Sequence, residues 1–235
     1  MSPAARGRTR RRTILIAFAI FALLLGAGAA LYKNHKTEQL FKACSSVRDY
    51  AADTGGSVHI PGSGPTVAIV GDSFSTGDHL EDRSHAWVNV FAKDTQKDLT
   101  VFAEGGTGFL NEGFCGTGAF GERLKPAIDA KPSSIIIEGG LNDVRYSAQD
   151  VRAAAAELIG RVDESTSVIV IGPVDAPALS GELDVDRALM DATKAENVTY
   201  VSALDWDLSF GPDGVHLTDF GHETYAADVA KALDR

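Results

Sequence analysis

Thr66-Val67-Ala68-Ile69-Val70-Gly71-Asp72-Ser73-Phe74-Ser75 decides how this chain is read. A short apolar run rich in β-branched residues leads straight into a glycine, an acid and two serines. Such a run, closed by turn-forming residues, reads as a strand buried on both faces. Similar runs recur at 99–103, 134–138, 167–171 and 198–201. Between them, 85–95, 121–130, 148–163, 182–196 and 219–234 carry apolar residues at helical spacing. Strands alternating with helices predict a three-layer α/β sandwich around a five-stranded parallel sheet.

The N-terminus differs in composition. Residues 1–12 hold Arg6, Arg8, Arg10, Arg11 and Arg12 and no acid, and 14–31 run without a charge. An uncharged run of that length matches a bilayer core of about 30 Å at a rise of about 1.5 Å per residue. The expectation is a basic cytoplasmic leader over 1–12 and one transmembrane signal-anchor over 13–32. A stalk and breaker-rich linker would follow over 33–65, then the folded domain over 66–235. A signal peptide cleaved near Ala27-Gly28-Ala29 is the competing reading, giving a secreted protein. Either way the arginines stay inside and the remainder lies outside the cytoplasm.

Charge narrows the partners. The chain carries 22 basic and 32 acidic residues, and with the five leader arginines set aside the rest bears about −15. Such a surface repels nucleic acid, which is not an expected partner. Cys44 and Cys115 are the two cysteines. Their spacing suits no zinc site, and no metal or cofactor is expected. A disulfide between them fits an oxidising compartment; two separately buried thiols are the alternative.

In open parallel sheets ligands bind beyond the carboxyl ends of the strands. Four polar segments fall there: Gly71-Asp72-Ser73-Phe74-Ser75, Glu104-Gly105-Gly106-Thr107-Gly108, Gly139-Gly140-Leu141-Asn142-Asp143 and Asp213-Gly214-Val215-His216. A serine hydroxyl attacks only when a neighbouring base takes its proton. His216 has an acid three residues before it in a short turn, and Asp213 there can orient its ring. Asn142 can donate a side-chain N–H to a developing oxyanion, beside the backbone N–H of Ser73 and of a second-segment glycine. His79 and His85 sit among Asp78, Glu81 and Asp82 and read as a solvated loop. Asp72 and Asp143 read as loop anchors, and Gly172-Pro173-Val174 as a rim loop lining the substrate.

In this order the four segments resemble the blocks of the SGNH (GDSL-like) hydrolases: Gly-Asp-Ser, a glycine block, Gly-x-Asn-Asp and Asp-x-x-His. Phe74 departs from the more usual leucine. The resemblance implies a flavodoxin-like fold, with Ser73 as nucleophile, His216 as base and Asp213 as its carboxylate. Ser73, Gly105 and Asn142 would form the oxyanion hole, Gly106 being the alternative to Gly105. The expected activity is removal of short O-acyl groups by a serine esterase. The expected substrates are acylated small molecules, glycans or glycolipids, those of the cell envelope if the membrane address holds. Acyl transfer by the same residues, or a non-catalytic glycan-binding module, are the alternatives.

Overall fold

The computed structural model describes the backbone of residues 3–234 and the side chains of residue 21 and residues 23–234. The chain divides into two compact units, Met1–Ser45 and Ser46–Arg235.

Helix α1 spans Pro3–Thr54. The expected transmembrane anchor is not borne out: among the described residues, no helix is long and apolar enough to cross a membrane. The leader 1–12 and much of the apolar run, through residue 20 and again Ala22, lie outside the described side chains. The membrane as a partner and the anchored address rested on that helix and fall with it; the competing reading, a form secreted after cleavage, did not depend on it. Cys44 and Cys115 are both disulfide-bonded.

Six strands form one sheet: β1 (Val58–Ile60), β2 (Thr66–Gly71), β3 (Asp98–Ala103), β4 (Ser134–Glu138), β5 (Ser167–Val174) and β6 (Thr199–Ala203). Their order is β1-β3-β2-β4-β5-β6, parallel from β3 to β6, with β1 antiparallel to β3. The sheet is therefore mixed and six-stranded, not five-stranded and parallel. The extra strand is three residues inside the stretch read as linker, where Gly55, Gly56 and Pro61 mask it. It covers the otherwise open edge of β3. His59 Nε2 and the Gly62 N–H both reach Asp98 Oδ1, at 2.9 and 3.1 Å, and hold it there.

Helices α3 (Trp87–Thr95) and α7 (Asp219–Leu233) belong to one face. There Trp87, Phe91, Tyr225 and Val229 pack with Ile69 and Leu99. The other face carries α4 (Phe120–Asp129), α5 (Ala148–Ile159) and α6 (Glu182–Ala195). Phe120, Leu124, Val151 and Leu189 pack there with Val70 and Ile135. Successive strand residues thus enter opposite cores, which is why 66–70 reads as an unbroken apolar run. From β2 the chain first moves outward to β3, then crosses back to β4 on the other side. That reversal opens a crevice beyond the ends of β2 and β4. Gly172-Pro173-Val174 is not a rim loop: it is the buried end of β5, with an irregular register between Ile171 and Val174.

Candidate active site

Ser73 begins α2 (Ser73–Thr76), a single turn at the end of β2. Asp72 caps that turn by accepting from the Phe74 N–H at 3.0 Å. Phe74 points into the core, edge-on to Tyr225 and His222. Beneath the turn lies Glu138, the last residue of β4, buried and accepting from the Ser75 hydroxyl at 2.5 Å. The Trp87 indole N–H donates to the same hydroxyl oxygen at 3.2 Å. Burial pushes the Glu138 carboxyl up to about 7, against the Ser75 hydroxyl, the Asp72 backbone N–H and the Trp87 indole. Burial, and then the charge of Glu138, also hold Asp72 well above the usual carboxylate range.

The glycine-rich connection after β3 closes over this turn. Asp143 draws it in, accepting from the N–H groups of Phe109, Leu110 and Asn111 at 2.8, 3.0 and 3.0 Å. Burial nonetheless raises its carboxyl. Arg123 reaches the loop from α4 and donates to Gly118 O at 2.5 Å and to Thr107 Oγ1 at 2.6 Å. Gly105 lies against Ser73: a Cβ there would stand 3.8 Å from the Ser73 Cβ and would run into the Asp78 carboxylate. Gly106, at φ +79°, faces the Phe114 ring instead. Among the described residues, no acceptor takes the backbone N–H of Ser73 or Gly105. Asn142 Nδ2 donates to Asp72 Oδ2 at 3.1 Å and to Thr107 O at 2.9 Å, so both its hydrogens are engaged.

Asp213 and His216 lie in the connection between β6 and α7. His216 Nδ1 stands 2.6 Å from Asp213 Oδ2. Asp213 Oδ1 accepts from the N–H groups of Val215 and His216, each at 3.0 Å. Burial raises the Asp213 carboxyl, but the His216 ring and those two N–H groups outweigh it and hold it well below the usual range. His216 opens on a cavity of about 350 Å³ lined by His79, Leu80, Gly211 and Asp213 among others. No hydrogen bond joins Ser73 Oγ to His216 among the described residues. In resting sites such contacts are often long and tighten only with substrate.

His79 lies in an exposed loop, as expected, but its ring also stacks on His216. Glu138 was not singled out, since in sequence it is only the end of a strand. His85 pairs with Asp219 at 3.2 Å on the surface. His222 is buried, accepts from the Trp87 N–H at 3.2 Å, and is lowered by burial to about 4. It is a packing residue.

A doubly wound sheet with a serine turn at one strand end, and a histidine–carboxylate pair after the last, defines the SGNH class of serine esterases. The model of the GDSL-like Lipase/Acylhydrolase family matches residues 69–224, and the chain belongs to that family. A GDSL lipase of Mycobacterium tuberculosis is 26% identical over 189 residues, covering 71% of this chain and 80% of the relative. Solved structures that share the fold include two esterases. Est24, a carbohydrate acetylesterase from Sinorhizobium meliloti, matches at TM-score 0.63 and 15% identity, over 73% of this chain and 99% of its own. An aryl esterase of M. smegmatis matches at TM-score 0.62 and 16% identity, over 73% and 99%.

Proposed function

We propose that the chain cleaves short O-acyl esters of sugars or similar alcohols through an acyl-enzyme on Ser73. The observation that carries this is the His216–Asp213 pair, with its 2.6 Å contact and a carboxylate fixed by two backbone N–H groups. A base oriented in this way presents Nε2 to a hydroxyl. The Ser73 hydroxyl gives its proton to Nε2 as Oγ bonds to the acyl carbon. The carbonyl oxygen, now charged, is met by the N–H groups of Ser73 and Gly105 and by Asn142. Asn142 redirects one of its two engaged hydrogens, at a net cost of about 1 kcal/mol. The alcohol leaves with the proton from His216, and water repeats the sequence to free the acid.

Gly105 is preferred to Gly106 as donor because it lies against Ser73. The sugar ester is supported by the acetylesterase of like fold, an analogy of fold alone. Transfer to a sugar hydroxyl in place of water is the second reading. The open cavity beside His216 favours keeping it, because it has room for an acceptor ring.

Hydrolysis of 4-nitrophenyl acetate tests the assignment. Ser73→Ala and His216→Ala are each expected to abolish it, and Asn142→Ala to lower kcat by about 10²–10³. A fluorophosphonate probe should label wild-type Ser73 alone. Full activity in purified Ser73→Ala protein would refute the nucleophile. Free acetate as sole product with glucose present would remove the transfer reading.

A further inference from the structure

We infer that His79 is a positioning residue, whose ring holds the His216 imidazole in the plane that presents it to Ser73. The inference rests on His216 being the base. The two rings are stacked, with centroids 4.0 Å apart and planes 12° apart. His79 Nδ1 also lies 3.6 Å from Asp213 Oδ2, the oxygen that receives His216 Nδ1 at 2.6 Å. One carboxylate oxygen therefore faces two imidazoles, and the outer ring covers the inner one. His216 cannot swing into its open cavity without sliding off this stack.

A second observation, from the backbone, is independent of the first. His79 has φ 70°, in the left-handed region that disfavours any residue with a Cβ. Such positions are ordinarily filled by glycine, and non-glycine outliers concentrate at functional sites. The turn that imposes this conformation is tied to the nucleophile. The Asp78 N–H donates to Ser73 O at 3.0 Å, and Arg83 holds the Asp78 carboxylate at 2.8 Å. Ser73 and the ring that steadies its base are thus carried on one connected segment, 73–79.

The same side chains offer a possible metal cluster, since ligand atoms of His79, Asp213 and His216 lie within 4.8 Å of one another. Near-parallel rings direct their nitrogen lone pairs along separate planes, so no point is in line with both. Stacking fits the geometry and metal ligation does not.

The test compares His79→Gly, His79→Ala and His79→Phe in the full chain, with Ser73→Ala and His216→Ala alongside, on 4-nitrophenyl acetate. Glycine and alanine are expected to lower kcat about tenfold and leave KM within about twofold, the signature of lost orientation rather than lost binding. Phenylalanine keeps a flat ring over His216 and should restore most of kcat. Glycine relieves the left-handed backbone, so its Tm should not fall, which separates lost positioning from lost stability. Unchanged kcat in the glycine and alanine variants, with Ser73→Ala and His216→Ala inactive, overturns the role of His79 alone. Equal losses in glycine, alanine and phenylalanine overturn stacking as its cause. Activity surviving in Ser73→Ala or His216→Ala overturns the site assignment itself.

Discussion

At the scale of single residues, the site has two kinds of carboxylate. Asp213 is held low by the His216 ring and two backbone N–H groups, and is ready to face an imidazolium. Glu138 and Asp72, buried at the Ser73 turn, are pushed upward by burial. That difference has a consequence for stability. Folded Glu138 keeps its proton up to about 7, whereas the unfolded side chain loses it near 4.5. The folded state therefore binds more protons across that window, and stability falls as pH rises from about 4.5 to about 7. Asp72 acts in the same direction. Each such group contributes a slope of at most about 1.4 kcal/mol per pH unit. Thermal melts of Glu138→Gln across this range should show a shallower decline than wild type, because glutamine cannot ionise. An identical decline in both proteins would remove Glu138 as the cause.

Among the elements, the connection between β3 and α4 depends most on partners outside itself. It holds six glycines, each with backbone freedom to lose, and no helix or strand fixes it. Asp143 gathers three of its N–H groups, while Arg123 gathers Gly118 O and Thr107 Oγ1 from the other side. Arg123 is largely buried and faces Glu104 at 3.6 Å. Arg123→Met should cost about 3–5 kcal/mol in urea unfolding, since it strands Glu104 and two acceptors. The kcat on 4-nitrophenyl acetate should fall with it, because Gly105, the proposed oxyanion donor, belongs to this connection. A change in the urea midpoint equivalent to less than about 1 kcal/mol would show that Asp143 alone fixes the loop.

Over the whole molecule, the distribution of apolar groups bears on acyl length. In the β3–α4 connection Phe109 is buried against Phe120, the first residue of α4, with ring centroids 5.1 Å apart. They plug the loop onto the core and are lost to any acyl pocket. Phe114 stays 45% exposed beside Gly106. One exposed ring is too little to sheathe a fatty chain, which needs a larger apolar cavity or a lid. Across aryl esters from acetyl to decanoyl, kept below their micelle thresholds, kcat/KM should be highest at the short end. A steady rise toward decanoyl would contradict this reading.

The sequence by itself determined the five parallel strands and the local Asp213–His216 pair. Strands buried on both faces leave unbroken apolar runs, and a contact between residues three apart in one turn needs no distant partner. Asp72 was legible as a loop anchor for the same reason, since the Phe74 N–H is two residues away, whereas the N–H groups that Asp143 gathers belong to a distant segment. The tertiary structure alone decided the rest. β1 exists because β3 leaves an edge to pair, which no property of Val58-His59-Ile60 announces. Glu138 meets Ser75, and His79 meets His216, only after β4 and the β6–α7 connection are brought beside the end of β2. Contacts between segments so far apart in sequence depend on strand order and crossover, and the chain carries no local mark of them.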